Sequence, residues 1–331
     1  MNCRICHNSE NNIQHLFREM MYGTRDEFEY VECSKCGTIQ IGYLPPNIAD
    51  YYPRNYGGFS GVGAAGYSTK LSSKLIARAA GRYFTGSGGL TGFLATKIRK
   101  WPDELFPYYL REEFLDLNLN SNILDFGCGS GDLLLKLNYL GFKNLLGIDA
   151  FVDDEIAYEN GLRVLKTELS NVDGKFDLIM LHHSFEHLPD PREFLATIHR
   201  KLLRRRHCII RVPVVAKAWR IYGRNWAQLD APRHFHLFTE NGFRQLAEAS
   251  GFEVVKVIYD SFAHFQFWAS ELYSRDIPLI SENERDEKLR KELFDSDQLQ
   301  AWELEAAELN RRNDGDQACY FLKAVDSDYL Q

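Results

Sequence analysis

The sequence predicts an α/β fold, built on a doubly wound and mainly parallel sheet with helices on both faces. Two observations lead to this prediction. From residue 122 onwards, short apolar runs that suit buried strands alternate with segments whose apolar residues recur at helical spacing. The first of these strands runs into NILDFGCGSG, where Gly127, Gly129 and Gly131 let the chain turn tightly into a helix.

Each element follows from its own pattern. Leucines from Leu133 to Leu140 fill the first helix, and Gly141 ends it. Residues 261–315 carry 7 basic and 13 acidic residues with apolar positions at helical spacing, which predicts a late helical insert. We expect strands at residues 122–127, 144–149, 162–166, 176–182 and 206–213, and helices at 131–140, 153–160, 191–203 and 239–250.

The glycine-rich stretch resembles the S-adenosylmethionine-binding loop of class I methyltransferases. Its D-x-G-x-G-x-G pattern differs from the dinucleotide fingerprint G-x-G-x-x-G, and it lacks the Lys-Ser/Thr pair of phosphate-binding loops. About residues 122–325 can be laid along the family's pattern. The resemblance implies a seven-stranded, Rossmann-like core whose last strands, 252–259 and 318–325, form an antiparallel end. It also implies methyl transfer from S-adenosylmethionine.

The same resemblance implies where the cofactor binds. Asp125 would anchor the loop and the methionine end of the cofactor, while the three glycines let the backbone approach it. Asp149 ends the second strand, and an acid there can accept both ribose hydroxyls. The alternative for Asp149 is that it caps the next helix. The remaining expected cofactor contacts are Cys128, Ala150, Glu168, Leu169 and His182.

Titratable residues are concentrated after the fourth and fifth strands, at the sheet edge where parallel sheets bind ligands. Within the stretch HHSFEHLPDP, the segment EHLPDP resembles the corresponding motif of small-molecule methyltransferases, including the quinone O-methyltransferases. The long segment WRIYGRNWAQLDAPRHFHLFT resembles one found in methyltransferases of cell-surface polysaccharide and modified-sugar pathways, and so long a loop is typically functional. The candidate catalytic residues are His183, Glu186, His187, Asp230, Arg233, His234 and His236.

Methyl transfer to a hydroxyl needs a base that removes the proton and residues that orient the acceptor. We expect His234 or His236 to be this base, and in an extended segment the two would point the same way. The alternative is that one of them braces the loop, and His187 equally suits a structural role. A histidine-rich cluster can also hold a metal, but no three-ligand spacing is present, so no catalytic metal is predicted.

The expected acceptor is a small molecule or glycan, most specifically a sugar hydroxyl that is either nucleotide-linked or part of a cell-surface glycan. Carbon methylation next to a ketone of a deoxy sugar is one alternative, and a quinone or polyketide acceptor is another. A cofactor-binding protein without catalysis, which recruits a partner through its N-terminal segment, also stays open.

Four of the seven cysteines form two C-x2-C pairs with 26 residues between them. This spacing predicts one closed, tetrahedral structural zinc site in a zinc-ribbon-like segment, residues 1–50. Gly37 suits the backbone turn of such a knuckle. A redox pair or disulfides are the alternatives, and the other three cysteines are interpreted as buried thiols. The zinc ligands would be Cys3, Cys6, Cys33 and Cys36.

Charge is unevenly distributed along the chain. The whole sequence has a formal charge of −7, yet residues 1–102 hold 12 Lys/Arg against 7 Asp/Glu. The overall acidity argues against a nucleic-acid partner. The sequence has no apolar run of 18 residues and no signal peptide, so we expect a cytoplasmic protein without a transmembrane segment.

Residues 51–102 form a basic, glycine-rich linker before the methyltransferase domain expected at 103–331. The linker holds eight basic residues and no acidic one. Spacing by four places several of them on one stripe of a helix. We interpret this stripe as a solvated face, as a lid for a diphosphate, or as a peripheral contact with anionic lipid. Its members are Lys70, Lys74, Arg78 and Arg82.

Overall fold

The computed structural model describes residues 1–52, 70–98, 106–280 and 283–326. The chain forms two compact units, of which the first comprises Met1–Pro53, His183–Leu195 and Arg211–Phe321. The second comprises Arg54–His182, Ala196–Ile210 and Leu322–Gln331. Both units are interleaved in sequence.

The second unit contains the parallel sheet. Strands β4 (Asn122–Phe126), β5 (Asn144–Ile148), β7 (Arg163–Leu165) and β8 (Phe176–His182) run parallel, and β6 (Ile156–Ala157) lies antiparallel at the edge. With β9 (Leu202–Pro213), which both units share, the order is β9-β8-β4-β5-β7-β6. The predicted mainly parallel sheet is therefore present, and the sheet as a whole is mixed.

One predicted helix is wrong. Residues 153–160 contain β6 instead of a helix, and β6 pairs with β7 as an extra edge strand beyond the seven expected. The physical reason is the Asn160-Gly161 pair, which favours a hairpin turn. Gly161 has a positive φ of 87°, and the Tyr158 N–H donates to the Leu162 carbonyl across the turn.

Helices of the second unit precede and follow the strands. α1 (Leu71–Phe84) and α2 (Gly89–Ile98) form a helical pair, and α3 (Asp132–Leu140) follows β4. α4 (Pro191–Lys201) follows β8 and, like β9, has residues in both units. The arginines and glycines of the basic linker at residues 53–69 and 99–105 lie outside the described residues.

The first unit begins with a small antiparallel sheet. β1 (Ile13–Arg18) pairs with β2 (Glu27–Glu32), and β2 pairs with β3 (Ile39–Ile41). β10 (His236–Leu237) comes from the histidine-rich segment and extends this sheet by pairing with β3. Phe17, Tyr30, Trp226 and Leu237 are buried together in one core cluster. The N-terminal segment therefore shares its sheet and core with the histidine-rich segment.

The rest of the first unit contains α5 (Lys217–Tyr222), α6 (Glu240–Glu248) and β11 (Phe252–Tyr259), and both units share β12 (Gln317–Ala324). β12 lies between β11 and β9. The predicted insert is helical, with a π-helix at His264–Ala269 followed by α7 (Ser270–Ser274), α8 (Glu284–Glu292) and α9 (Ser296–Arg311). Trp302, Ala306 and Leu309 of α9 are buried with Phe267. Within the described residues, every helix is too short or too polar to cross a membrane.

Candidate functional site

The glycine-rich turn between β4 and α3 has the backbone shape that its sequence predicts. Gly127, Gly129 and Gly131 have φ values of 68°, 53° and 85°, which residues with side chains rarely adopt. A Cβ atom at Gly131 would also lie 3.0 Å from Val164. The Gly127 N–H donates to the carbonyl of Ile148 on the neighbouring strand β5. Glycine is therefore required both by conformation and by space.

Two acids lie beside this turn. Asp149 follows β5, and its carboxylate accepts hydrogen bonds from the backbone N–H groups of Gly129 (2.9 Å) and Phe151 (2.8 Å). An ionised carboxylate has about four acceptor positions, so each oxygen keeps room for one hydroxyl. Asp125 is buried at the end of β4, and burial together with the charge of Asp149 raises its pKa to about 8. Both expected cofactor acids thus lie in the second unit, at the carboxyl ends of adjacent strands.

The other expected cofactor contacts have different surroundings. The Cys128 sulfur packs against β5 so closely that a Cβ at Gly147 would lie 2.6 Å from it, and burial raises the pKa of the thiol. The Cys128 side chain therefore packs towards β5, and the residue as a whole is partly buried. Ala150 and Glu168 are exposed, whereas Leu169 is buried.

His182 ends β8, and its ring lies 4.8 Å from the ring of Tyr109. The Tyr158 hydroxyl donates to the Ser130 carbonyl and closes the other side of the turn. At the first residue of α3, the Oδ1 atom of Asp132 is buried without a hydrogen-bond partner among the described residues. A turn with glycine at three of its five positions, flanked by carboxylates with spare acceptor positions, fits a cofactor that carries a ribose and a cationic amino-acid end.

A second group of titratable residues belongs to the first unit. His183 follows β8 directly and has a positive φ of 53°. Its Nε2 atom lies 3.2 Å from Nη1 of Arg211, which in turn donates through Nε to Asp260. Because a guanidinium only donates, Nε2 of His183 must accept, so its proton is on Nδ1. That nitrogen lies 3.5 Å from Oε1 of Glu186.

Glu186 sits in the short turn Phe185–His187 and is fully buried. Burial alone would raise its pKa. The close Nδ1 atom of His183 and the nearby imidazoles of His187 and His234 outweigh burial and lower the pKa to about 2. Glu186 is therefore a buried carboxylate surrounded by three histidines.

His234 presents one free ring nitrogen to two carboxylates. Its Nδ1 atom lies 2.7 Å from the carbonyl oxygen of Gln228, to which it must donate. The lone pair is therefore on Nε2, which lies 3.9 Å from Glu186 and 3.8 Å from Asp230. Burial lowers the pKa of His234 to about 4, although the Asp230 charge opposes this shift. At neutral pH the ring is uncharged, as a proton acceptor must be.

The ring of His187 is also held through its Nδ1 atom at a backbone carbonyl. Its Nδ1 atom lies 2.8 Å from the carbonyl oxygen of Arg233 and 3.1 Å from the hydroxyl of Tyr52. Its ring lies edge-on to the ring of His234, with 4.9 Å between centroids. Of the predicted catalytic residues, His183, Glu186, His187, Asp230 and His234 thus form one cluster.

The side chain of Arg233 holds the loop that carries His234. It is 0% exposed, and its Nε donates to both oxygens of Asp230 at 3.0 Å. Its Nη2 donates to Glu19 at 2.8 Å, and its Nη1 donates to the carbonyl of Tyr51 at 3.0 Å. These charges lower the pKa of Asp230 despite its burial, and they raise that of Arg233. One guanidinium therefore ties this loop to the N-terminal segment.

His236 has different surroundings from His234. It lies in β10 opposite Gln40, is 0% exposed, and stacks on Phe238 with 5.9 Å between ring centroids. Burial and the charge of Arg4 lower its pKa to about 3. An extended segment would make a shared role possible, but His234 and His236 lie in different surroundings.

The two C-x2-C pairs come together. The sulfurs of Cys3 and Cys36 are 3.6 Å apart, those of Cys6 and Cys33 are 3.4 Å apart, and all four lie within 4.8 Å of one another. Four thiolates bound to zinc at about 2.3 Å in a tetrahedron would be about 3.8 Å apart. The cluster therefore has the size of a four-cysteine zinc site.

The two cysteine knuckles have matching backbone geometry. The N–H of His7 donates to the Cys3 carbonyl, and the N–H of Gly37 donates to the Cys33 carbonyl, at 3.0 and 2.9 Å. Both donors have a positive φ, of 60° and 71°. In each knuckle a backbone N–H also donates to a cysteine sulfur: the Ile5 nitrogen lies 3.4 Å from Sγ of Cys3, and the Cys36 nitrogen lies 3.5 Å from Sγ of Cys33. Such matched turns suit metal thiolates.

Several residues of these sites were not identified from the sequence. Glu19, Tyr52 and Arg211 contact the histidine cluster or Arg233, yet the first two lie more than a hundred positions away in the chain. Tyr30 donates from its hydroxyl to the carbonyl of His234 at 2.9 Å. No spacing pattern links such distant positions in a single sequence.

A family model described as a methyltransferase domain matches residues 92–257, half of the chain. No curated protein matches the sequence. The match covers the glycine-rich turn, both acids and the histidine cluster.

Solved structures with a similar fold include several methyltransferases. A mycolic acid cyclopropane synthase complexed with SAH and CTAB is 18% identical, with a TM-score of 0.42 over 64% of this chain and 80% of that chain. A putative sarcosine dimethylglycine methyltransferase from Galdieria sulphuraria is 16% identical, with a TM-score of 0.42 over 75% and 98%. A putative methyltransferase from Bacillus halodurans is 11% identical, with a TM-score of 0.40 over 65% and 96%.

Proposed function

The chain belongs to the methyltransferase-domain family and is an S-adenosylmethionine-dependent enzyme, and from this premise we propose that it methylates a hydroxyl group of a sugar. The sugar is either linked to a nucleotide or part of a cell-surface glycan. The observation that carries the chemistry is the neutral imidazole of His234, whose free nitrogen lies between two buried carboxylates.

We assign the cofactor to the turn of the second unit. Asp149 would accept the ribose hydroxyls through the positions that Gly129 and Phe151 leave free. Asp125 and the backbone of the glycine turn would hold the methionine end. When bound, the sulfonium supplies an electrophilic methyl group, so the protein must only orient the acceptor and accept its proton. Ala150, Glu168, Leu169 and His182 are the proposed remaining contacts.

His234 is the proposed general base. Its Nδ1–H stays fixed on the Gln228 carbonyl, so the Nε2 lone pair takes the proton of the acceptor hydroxyl. The imidazolium that results lies beside Glu186 and Asp230, and their charges stabilise it. His183 and His187 flank Glu186 and would orient the acceptor. His236 is the weaker candidate because it is fully buried in a strand.

Kinetics of His234→Asn test the base. We expect kcat to fall by about 10²–10⁴-fold, while calorimetric binding of S-adenosylmethionine stays unchanged. The matched control is His15→Asn, which removes an imidazole from the N-terminal sheet and should keep full activity. A fall of less than tenfold for His234→Asn would overturn the assignment.

The position of the new methyl group tests the acceptor chemistry. With ¹³C-labelled S-adenosylmethionine, the carbon shift of the product separates a methyl on oxygen from a methyl on carbon. A methyl on oxygen of a sugar is the expected result. A methyl on a carbon next to a ketone would show that the acceptor is an enolisable keto sugar and not a sugar hydroxyl. A methylated quinone or polyketide would exclude a sugar acceptor.

We also propose that Cys3, Cys6, Cys33 and Cys36 hold one structural zinc ion. Four thiolates close the coordination shell, so this zinc has no position left for substrate. Elemental analysis of the purified chain should give one zinc per chain, and Cys33→Ser should lose it. Zinc content that is unchanged in this variant would contradict the assignment.

A further inference from the structure

The helical pair α1–α2 has an unusual distribution of side-chain size. Its inward positions are small: Ala77, Ala80 and Gly81 of α1 are buried, as are Gly92 and Ala95 of α2. These positions are small because the contacts are close. A Cβ atom at Gly81 would overlap the backbone carbonyl of Leu140, the last residue of α3.

The outward face of α1 carries large apolar residues. Leu71 is 72% exposed and Leu75 is 57% exposed. At 100° per residue, both leucines lie on the same side of the helix as Lys74 and Arg82. Leucines and cations share one face.

The outward face of α2 has the same character. Leu90 is 72% exposed, and Leu94 and Ile98 are also more than half exposed. Tyr83 of α1 and Phe93 of α2 are both exposed, and their rings lie 5.8 Å apart. The exposed apolar surface is therefore continuous from one helix to the other.

The charge of this surface is of a single sign. Residues 70–98 contain five Lys/Arg and no Asp or Glu. Lys74, Arg78 and Arg82 are exposed, and none of them forms an ion pair with another described residue. Large exposed apolar residues are informative because monomers rarely present such patches. Mixed with cations, they match a bilayer surface, where acyl chains lie beneath anionic headgroups.

We propose that the α1–α2 pair docks on the surface of an anionic phospholipid bilayer. The leucines enter the boundary between headgroups and acyl chains, and the cations contact the headgroup phosphates. A free diphosphate would match the cations but not the leucines. This docking is independent of the methyl acceptor and of the role of His234.

Sedimentation with lipid vesicles tests the proposal on the full chain. We expect the protein to sediment with vesicles in which a third of the lipid is phosphatidylglycerol and to stay in solution with phosphatidylcholine alone. Lys74→Gln with Arg82→Gln should weaken binding by roughly 30-fold, since each cation near the surface contributes about fivefold. The matched control is Lys143→Gln with Lys175→Gln, two exposed lysines elsewhere, which should bind as the wild type does.

The apolar part is tested by Leu71→Ser with Leu75→Ser. Both side chains are exposed, so this variant should keep its fold and its circular dichroism, and its vesicle binding should be lost. If the wild type does not bind anionic vesicles, or if neither the glutamine variant of α1 nor the serine variant changes this binding, the proposal is wrong. If instead the wild type is a dimer that the serine variant dissociates, the surface joins two copies of the chain and the lipid assignment fails.

Discussion

Replacing Arg233 with Met should strongly destabilise the first unit. The substitution keeps an apolar stem but removes the guanidinium that bonds Asp230, Glu19 and the Tyr51 carbonyl. The side chains of Glu19 and Asp230 are 0% and 4% exposed, so two buried carboxylates would lose their counter-ion. Breaking a buried ion pair by removing one partner costs roughly 3–5 kcal/mol, and we expect a loss in this range at pH 7.

Urea unfolding followed by tryptophan fluorescence measures this loss. Glu19→Gln keeps one oxygen for Arg233 but turns an amide N–H towards the N–H of Thr24, so it should lose about 1–3 kcal/mol. Arg220→Met removes an ion pair with Asp314 whose side chains are 56% and 32% exposed, and this control should lose less than about 1 kcal/mol.

The pH dependence gives an independent check on Arg233→Met. Arg233 lowers the pKa of Asp230, so in the wild type this carboxylate contributes stability that is present at neutral pH and lost in acid. Without Arg233 the buried carboxyl of Asp230 takes up a proton more easily. The loss measured at pH 7 should therefore shrink towards about pH 5. A loss under about 1 kcal/mol at pH 7 would refute the idea that Arg233 neutralises buried charge.

Three further predictions concern the two sites. Burial and Asp149 raise the pKa of Asp125 to about 8, so this carboxyl destabilises the folded protein increasingly as the pH rises towards 8. In thermal melts without cofactor, the stability of Asp125→Asn relative to the wild type should therefore rise by roughly 1.4 kcal/mol per pH unit in this window. Stability curves of the two proteins that stay parallel across these pH values would contradict the raised pKa. Since the pKa of His234 is lowered to about 4, kcat/KM should stay level from neutral pH down towards 4, and an acid limb near the ordinary value of 6.5 would be inconsistent with a buried base. Cys33→Ser should lose zinc and also lower kcat/KM by about tenfold or more. The reason is that Tyr30, in the strand that leads to Cys33, donates a hydrogen bond to the His234 carbonyl. Full activity without zinc would show that the zinc site does not affect the histidine cluster.

The cofactor turn could be predicted from the sequence because its determinants are local. β4, the glycine turn and α3 lie within about twenty residues, and both periodicity and glycine spacing report on them directly. The four-cysteine cluster was predictable for the same reason, since each pair forms its own knuckle. Helix 153–160 was predicted wrongly because the turn signal of Asn160-Gly161 outweighs a short stretch of weak helical pattern.

The surroundings of the histidine cluster could not be predicted. Glu19, Tyr52 and Arg233 meet only because β10 joins the N-terminal sheet, a pairing of two residues in each strand that no periodicity signals. His236 lies in β10, whereas His234 lies just before it, so the same long-range pairing gives the two histidines different surroundings. Asp230, in the same loop, has a positive φ of 38°. Long-range pairing and unusual backbone angles leave no repeating pattern in a single sequence.

Transfer of labelled methyl from S-adenosylmethionine into fractionated cell extract tests the central claim most directly. Asp149→Ala is the control, because it removes the carboxylate assigned to the ribose. We expect label in a sugar, either in the small anionic fraction as a nucleotide sugar or in the polysaccharide and lipid-linked glycan fraction, and no label with the variant. Label confined to protein or nucleic acid, or no wild-type transfer at all, would contradict a sugar methyltransferase.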